Sequence, residues 1–499
     1  MPVFFRSSHP KGEISLRVEI VMVHYDPGGG MNAAERIYAA LARDGASAPL
    51  RSEILARRME EDIASSPLRA GCSLGSVAAL AARYGVGRST VCEAVRILER
   101  RGLGRMRTGR GGGLVLSRPD VELTAEEMAG FARLTGVTLR QLLDAREAVD
   151  CAAARLAAAR KPGEAELGRL LQIATADKPA LARDLAVRTE IARLSGNAAV
   201  GLFVRCLHSL TLDFAGPPPA REGSPWASGL VSALAQGDGA AAASVVCGSL
   251  DDLSLWLVVA DAAASVHGRA VIEADPQQNR SNEIARAILS DLGDLDSADA
   301  RLGSEWELCE RYGVGRLILR QAIRMLEDRG MVECRRGRGN GLLSRSPQPF
   351  GVVRQAVAYL MAEDFEAGDV GELLCLLNVS SPALAVARAD DAQRARLVGL
   401  LHQVEACDPV DRGDYLELVR CVAELSDVPL VDIFCRCLVA YEARFRKDLP
   451  DTFRGGAQHP YLKHLRHLLA AGRQNGEALR QAKAETAAVM LDISRCRTP

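Results

Sequence analysis

The sequence predicts a mainly α-helical protein in which a small helical unit with a two-stranded wing occurs twice, each copy being followed by an all-α helical bundle. Three observations support this fold class. The chain has 499 residues, too many for one hydrophobic core. A motif of its first half recurs in its second half. Apolar residues recur at helical spacing and aromatic residues make up only 4%, which favours helical cores of alanine, leucine and valine.

The internal repeat includes both an arginine-rich segment and the helical segment after it. Its clearest element is a hexapeptide, and most of the other matches keep the same spacing, with a small drift in the last pair. The matched segments are Arg83-Tyr84-Gly85-Val86-Gly87-Arg88 with Arg311-Tyr312-Gly313-Val314-Gly315-Arg316, Glu99 with Glu327, Gly102 with Gly330, Gly109-Arg110-Gly111 with Gly337-Arg338-Gly339, and Phe203-Val204-Arg205-Cys206-Leu207 with Phe434-Cys435-Arg436-Cys437-Leu438.

The repeat and the local composition predict the domain boundaries. Asp275-Pro276-Gln277-Gln278 has the composition of a linker between the two copies. Residues before Met31 are expected to form a disordered leader, or translation begins at Met31. The expected divisions are a leader at 1–30, a first small unit at 31–118, a helical segment at 119–270, a linker at 271–278, a second small unit at 279–345 and a helical segment at 346–499.

Each small unit has the pattern of a helix-turn-helix followed by a wing. Val91, Ala94, Val95 and Leu98 form one apolar helix face, and Leu319, Ala322, Ile323 and Leu326 repeat it. A short helical stretch precedes each of these helices, and a glycine between them permits a left-handed turn. Two short strands with a glycine- and arginine-rich tip follow at 107–113 and 335–341, which predicts a basic wing.

Charge supports a nucleic-acid partner for both units. Nine arginines lie between 83 and 118 against two acidic residues, and nine lie between 311 and 345 against three, in a chain whose net charge is only −1. Two basic patches in a near-neutral chain are typical of a surface that binds phosphates. A solvated helix face would carry similar charge, but the helix, glycine turn and basic wing occur twice in one order, which favours double-stranded DNA.

Leu74 to Leu116 resembles the winged helix of GntR-type transcription regulators. The residues that carry the resemblance are Gly87-Arg88-Ser89-Thr90-Val91-Cys92-Glu93-Ala94-Val95-Arg96, Gly102-Leu103 and Gly109-Arg110-Gly111. The second copy matches less well, through Gly315-Arg316-Leu317-Ile318-Leu319-Arg320-Gln321-Ala322. Major-groove and backbone contacts are therefore expected from Arg88, Ser89, Thr90, Arg96, Arg107, Arg110 and Gly111, and from Arg316, Arg320, Arg324, Arg335 and Arg338.

Both copies depart from the family pattern at expected DNA contacts. An arginine of the preceding helix is replaced by Ala78 and by Trp306, and an arginine of the recognition helix is replaced by Cys92 in the first copy. The second copy has Leu317 and Ile318 where the first has serine and threonine. A missing bidentate arginine forfeits about 1–3 kcal/mol of base discrimination. The two copies are therefore expected to recognise unlike half-sites with altered specificity.

The helical segments resemble the effector domain of the FadR-like branch of this family, called FCD. The resemblance implies a carboxylic-acid effector, often bound through a metal held by an aspartate and three histidines. That ligand set is not kept, because Asp184 is followed four residues later by Arg188, the second copy has Tyr415 and Val419, and only His464 falls near a later family histidine. Arginine is not a metal ligand, so no metal and no other cofactor is expected.

Arg188 has two interpretations. It forms an i,i+4 ion pair with Asp184, the favoured interpretation, or it replaces the positive charge of the metal and binds an acidic effector directly. Should an anionic effector bind, Arg146, Arg188 and Asn197 are its expected contacts.

Other classes of protein have weaker support. The glycines of Gly109-Arg110-Gly111-Gly112-Gly113 lack the lysine and hydroxyl residue of a phosphate loop, and the chain has no nucleophile elbow or zinc motif, so no enzyme is expected. Thirteen scattered cysteines without a CxxC pair predict reduced thiols in a cytoplasm. The first thirty residues lack the continuous apolar stretch and the cleavage site of a signal peptide, so none is expected there. No apolar run is expected to approach the roughly 20 residues of a membrane span.

The sequence thus predicts a sequence-specific DNA-binding transcription regulator, a repressor whose binding a small acidic metabolite modulates. The alternative is a ligand-sensing or protein-interaction module whose DNA-binding units are degenerate. Since the chain carries two copies of each unit, it is expected to form either an intramolecular pseudo-dimer on one asymmetric site or a homodimer with four DNA-binding units.

Overall fold

The fold is known from a computed structural model. The described residues are 51–65; 71–257 without 101, 108, 110–111, 118 and 216–225; 280–281, 283–285, 287–288 and 291; and 300–487 without 329–330, 335–340, 345–348, 364, 366, 444–451, 454–458, 473–477, 480, 484 and 486. The expected leader and linker lie outside the described residues.

The first small unit, called head 1 (residues 51–117), is a three-helix winged unit. Its elements are α1 (Arg51–Ser65), β1 (Ser73–Gly75), α2 (Val77–Tyr84), α3 (Arg88–Arg100), β2 (Gly104–Arg107) and β3 (Gly113–Leu116). The strands form an antiparallel sheet in the order β1-β3-β2. The hydroxyl oxygen of Ser76 accepts from the Ala79 amide and begins α2, and Gly85 ends it at φ 65°. The left-handed glycine turn predicted between the helices is confirmed.

The second small unit, called head 2 (residues 280–344), has the same element order. Its elements are β4 (Arg301–Gly303), α11 (Glu305–Tyr312), α12 (Arg316–Asp328), β5 (Val332–Cys334) and β6 (Leu342–Ser344), with sheet order β4-β6-β5. Ile284, Ala285 and Ile288 pack in its core, as residues of α1 do in head 1. Gly313 ends α11 at φ 61°. Equivalent caps, turns and strand orders give the two heads one architecture.

Each head is followed by a helical bundle. Bundle 1 (residues 119–257) contains α4 (Val121–Leu134), α5 (Leu139–Arg160), α6 (Glu164–Ala174), α7 (Ala180–Leu194), α8 (Ala198–Asp213), α9 (Trp226–Gln236) and α10 (Gly239–Trp256). Bundle 2 (residues 349–487) contains α13 (Phe350–Ala362), α14 (Ala367–Arg388), α15 (Asp391–Ala406), α16 (Arg412–Ser426), α17 (Pro429–Ala443) and α18 (Pro460–Gly472). The predicted fold class is confirmed. The sequence did not predict the short antiparallel pair of β7 (Val410–Asp411) and β8 (Thr452–Phe453) in bundle 2.

The two bundles share one hydrophobic core. Phe203 of α8 and Phe434 of α17, which the repeat matches, stack with ring centroids 4.2 Å apart and planes 10° apart, and both are fully buried. The first helices of the two bundles, α4 and α13, pack on each other, as do the second helices, α5 and α14. Contact between equivalent elements is the arrangement of a two-fold interface, in which one patch faces its own copy.

Polar contacts join the bundles at the edge of this core. The Asn197 side chain donates to the carbonyl of Asp369 over 2.9 Å, and Arg160 pairs with the Asp369 carboxylate over 3.0 Å. Arg388 pairs with Asp144, and the Lys483 ammonium lies 2.5 Å from Glu147. Head 1 also contacts bundle 2, because α1 packs on α13 and Ala358 lies against the head 1 core.

One sequence expectation about apolar runs was wrong. Among the described residues, the segment Gly368–Arg388 of α14 is long and apolar enough to cross a membrane, with a mean hydropathy of 1.6. The expectation failed because two acidic residues near its start interrupt the apolar run without lowering the average much. Since 67% of that stretch is buried within the protein, its apolar character is that of a central core helix.

Candidate nucleic-acid interface

The recognition helix of head 1, α3, is divided into a buried face and an exposed face. Val91, Ala94 and Leu98 are completely buried. Arg88, Ser89, Cys92 and Arg96 are exposed, and Thr90 is half-buried. The N-terminal turns of such a helix contact base edges when it enters the major groove. The predicted contact residues of α3 therefore lie on one accessible face.

The recognition helix of head 2, α12, presents arginines in the same way. Leu319, Ala322 and Leu326 are buried completely, whereas Arg316, Arg320 and Arg324 are exposed. The stretch Arg316–Arg324 contains three arginines and no acidic residue. This face has the positive charge that a phosphate backbone attracts.

An aspartate outside each helix-turn-helix fixes the preceding helix, and sequence analysis missed it. In head 1 Asp62 accepts from the Tyr84 hydroxyl over 2.8 Å and pairs with Arg83 over 2.9 Å. In head 2 Asp291 accepts from the Tyr312 hydroxyl over 2.7 Å. Burial and the aspartate raise the pKa of Tyr84 to about 12, so the hydroxyl remains a donor at neutral pH. The repeat of the Arg-Tyr pair was the available signal.

Each wing is tied to its recognition helix by a glutamate. Glu99 accepts from the Met106 amide of β2 over 2.8 Å, and Glu327 accepts from the Cys334 amide of β5 over 3.0 Å. These two glutamates occupy matching positions of the internal repeat, and each holds the wing of its own head. Arg107 is exposed at the end of β2. Arg110, Gly111, Arg335 and Arg338 lie outside the described residues.

Head 2 differs from head 1 at the start of its helix-turn-helix. Arg320 donates through Nε to Glu305 over 3.0 Å, and Arg316 lies 3.7 Å from the same carboxylate. Head 1 has Val77 at the matching position, so its arginines meet no such acid there. The side chains of Leu317 and Trp306 are 82% and 66% exposed.

Bundle 1 contains a buried cluster of charges around Asp150. One carboxylate oxygen of Asp150 accepts from Arg146 over 3.1 Å and from Arg188 over 3.0 Å. Arg188 also pairs with Asp184 over 2.7 Å, which confirms the predicted i,i+4 ion pair. The two arginines and two aspartates balance one another in charge.

The remaining contacts of the cluster come from three other helices. Thr211 accepts from Arg146 over 2.7 Å, Ser249 accepts from Arg188 over 2.9 Å, and the Trp226 indole donates to Asp184 over 3.1 Å. Burial lowers the pKa of Arg146. Burial also acts against the charged form of Arg188, but Asp184 and Asp150 raise its pKa above the usual value.

Two of the three predicted effector residues lie together. Arg146 and Arg188 share Asp150, whereas Asn197 caps α8, accepts from the Val200 amide over 3.1 Å and contacts bundle 2. Two buried polar atoms of the cluster, Nη2 of Arg146 and the second carboxylate oxygen of Asp150, have no hydrogen-bond partner among the described residues.

The described residues of bundle 2 contain no matching charge cluster. Tyr415 is 1% exposed and stacks edge-on against His459, with ring centroids 5.5 Å apart. His464 is buried, and burial lowers its pKa to about 4. Within the described part of the chain no group of three or more His, Cys, Asp or Glu side chains could hold a metal ion.

Comparisons with known proteins point to one family. The model of the bacterial regulatory proteins of the gntR family matches residues 51–113 and 281–341. The putative HTH-type transcriptional regulator RmpR of Mycobacterium gastri is 31% identical over 118 residues, which are 23% of this chain and 42% of that protein. The chain thus matches less than half the length of this curated relative.

Two solved structures of similar proteins each cover less than half of this chain. Streptococcus agalactiae GntR has 23% sequence identity and a TM-score of 0.31, over 40% of this chain and 98% of its own. The E. coli protein McbR/YncC has 16% identity and a TM-score of 0.20, over 45% of this chain and 99% of its own.

Proposed function

We propose that the chain is a sequence-specific, double-stranded-DNA-binding transcription regulator of the gntR family that acts in the bacterial cytoplasm. The match of the family model to both winged-helix segments supports this proposal. The observation that carries this proposal is that both heads present the N-terminal half of an arginine-bearing recognition helix to solvent. A neighbouring wing on each head supplies the position for backbone contacts.

We propose further that one chain occupies one asymmetric site. The two bundles bury equivalent faces against each other, as two subunits of a dimer would. A chain with two heads bound to adjacent half-sites would exclude other proteins from that stretch of duplex. Repression is therefore the proposed mode of action.

The proposed regulator of DNA binding is a small acidic metabolite that binds in bundle 1. Nη2 of Arg146 is a buried donor without a hydrogen-bond partner among the described residues, and it lies beside Arg188. A carboxylate could accept from it without displacing Asp150. Because Arg188 takes the place of a metal ligand, binding should need no metal. Stoichiometric zinc, nickel or manganese in the purified protein, found by elemental analysis, would contradict this part of the proposal.

The alternative function, a protein-interaction module with degenerate heads, also has an observation in its favour. Head 2 exposes Leu317 and Trp306 and ties Arg320 to Glu305. A head that binds protein alone would show no dependence of DNA affinity on its arginines, which makes the two functions distinguishable.

The test is DNA binding by wild-type and variant chains. Sites are first selected from a pool of random duplexes, and affinity is then measured by fluorescence anisotropy at several salt concentrations. Arg88→Ala and Arg316→Ala should each weaken binding to the selected site. Arg110→Ala and Arg338→Ala together should weaken binding to all sequences alike and lower the salt slope by about one unit per arginine. Unchanged affinity and slope in the double variant would exclude the wing contacts.

A further inference from the structure

Head 2 carries an apolar surface on the face that should meet DNA. Leu317 and Trp306 are the two most exposed large hydrophobic side chains among the described residues, at 82% and 66%. Both lie in the first turn of a helix of the helix-turn-helix, Trp306 in α11 and Leu317 in α12. Neither side chain belongs to the hydrophobic core of head 2, because the buried residues of that core lie on the other faces of these helices.

Cations surround Leu317 on α12. Arg316 precedes it, and Arg320 and Arg324 follow it on the exposed face. Glu305 holds Arg320 over 3.0 Å and lies 3.7 Å from Arg316, so it compensates part of the positive charge of the two guanidinium groups next to the leucine. The surface therefore presents an apolar side chain between arginines, with a net positive charge.

DNA offers a matching group. In the major groove the only apolar group on a base edge is the C5-methyl of thymine, and an aliphatic side chain has no hydrogen bond to offer the other bases. The positive charge of the arginines around Leu317 favours binding of a polyanion such as DNA over binding of an apolar protein surface. We propose that Leu317 contacts a thymine methyl group and thereby specifies thymine in the half-site of head 2. This inference rests on the DNA-binding function proposed above.

Head 1 provides the contrast within the same chain. Ser89 stands where head 2 has Leu317, and it is exposed at the second residue of α3. A serine hydroxyl donates and accepts, so it is compatible with several bases. The two half-sites should therefore differ at this position, with thymine specified only on the side of head 2.

The experiment combines the removal of a single methyl group from the DNA with the substitution of a single side chain in the protein. Thymines of each half-site of the selected duplex are replaced one at a time by deoxyuridine, which removes only the methyl group. Anisotropy is measured with the full wild-type chain and with Leu317→Ser, which copies head 1. Because Leu317 is exposed, the substitution should leave the fold unchanged. Ser89→Leu is the reciprocal variant.

The expected result is that one uridine position in one half-site weakens wild-type binding about fourfold, the value of one buried methyl group. Leu317→Ser should bind thymine and uridine duplexes equally at that position. With a thymine placed at the matching position of the opposite half-site, Ser89→Leu should bind the thymine duplex more tightly than the uridine duplex, whereas wild type should bind the two equally.

Three results would overturn the inference. One is a uridine effect that persists in Leu317→Ser, which would assign it to another side chain. Another is that no single replacement of thymine by deoxyuridine weakens binding by the wild-type chain. The third is binding to the selected site that does not change with Leu317→Ser, as expected if Leu317 instead faces a protein. A pool that yields no enriched sequence would refute the DNA-binding function itself, a result separate from these three.

Discussion

Asp150 is the residue on which the charge balance of bundle 1 depends. It is 2% exposed and accepts from two buried arginines through one oxygen, at 3.1 Å and 3.0 Å. Burying an ion costs several kcal/mol unless partners compensate it. Two arginines without Asp150 would face only Asp184, so the neutral cluster would become a net cation in an apolar interior.

Asp150→Asn should therefore destabilise bundle 1 strongly while keeping its shape. Removing one partner of a buried ion pair costs about 3–5 kcal/mol. Urea denaturation followed by circular dichroism measures the loss. Glu122→Gln is the matched control, because Glu122 pairs with Arg205 while 72% exposed and should cost less than about 1 kcal/mol. Equal losses in the two variants would show that the cluster does not stabilise the bundle.

His464 makes bundle 2 sensitive to acid. Burial lowers the pKa of His464 to about 4, with the Val379 carbonyl 3.5 Å away and His467 and Lys483 nearby. An unfolded histidine has a pKa of about 6.5, so between these values the unfolded chain binds more protons than the folded chain. The free energy of unfolding should thus fall as the pH falls below about 6.5.

At pH 5, protonation of His464 on unfolding should lower the free energy of unfolding by about 2 kcal/mol relative to neutral pH. Urea denaturation of wild type and His464→Gln is measured at pH 7.5 and at pH 5. Between these pH values the free energy of unfolding of the variant should fall by about 2 kcal/mol less than that of wild type. His467→Gln is the control, because His467 is half exposed on the same helix. Identical pH dependence in wild type and His464→Gln would contradict the effect.

Local spacing determined which of these residue contacts could be predicted. Asp184 and Arg188 lie one turn apart on one helix, so their ion pair followed from sequence. Arg146 forms an ion pair with Asp150, which also lies one turn away on the same helix, and it donates to Thr211 of another helix. Its contact with an effector stays a prediction. The contacts with Thr211 and Ser249 come from helices far along the chain, and no periodicity places them. The same limit explains why Asn197 was grouped with the arginines although it caps α8 at the bundle interface.

At the scale of elements, both heads use the same devices to fix a recognition helix. A tyrosine bound to an aspartate holds α2 and α11, a left-handed glycine ends each of them, and a glutamate of α3 or α12 holds the wing. The glycines could be predicted, since only a left-handed residue fits the turn. The contacts of the two glutamates could not be predicted, because a repeat shows that two residues occupy equivalent positions but does not show which groups they bind.

Glu305 restrains Arg320, so Glu305→Gln should tighten DNA binding by head 2. Freeing an exposed ion pair releases about 0.2–1 kcal/mol, equivalent to an increase of up to about fivefold in affinity. The affinity for the selected duplex is measured by anisotropy at constant salt. Glu310→Gln, an equal charge change at an exposed residue of the same helix, is the control. Equal increases in both variants would show a general charge effect and not the release of Arg320.

At the scale of the whole molecule, the chain resembles a dimer made from one polypeptide. Phe203 and Phe434 stack within a core shared by both bundles, and α4 and α13, the first helix of each bundle, pack together. The two subunits of a homodimer are encoded by one gene and must have identical heads, whereas the two halves of a duplicated chain need not be identical. Ser89 and Leu317 show the divergence that this freedom permits.

The repeat alone could predict two heads and two bundles but not how they meet. In the shared core the two matched Phe segments contact each other. The similarity of two segments in sequence does not predict that they are in contact in the structure. The contact of α1 with α13, which places head 1 on the bundle of the other half, had no signal in the sequence. It follows from packing between segments about three hundred residues apart.

The most direct test of the central claim is the stoichiometry of the complex. Analytical ultracentrifugation of the full chain with a duplex containing one selected site should give one chain per duplex. Arg88→Ala and Arg316→Ala should each weaken that complex, because both heads of one chain bind it. Two chains per duplex, with Arg316→Ala binding as tightly as wild type, would contradict the account.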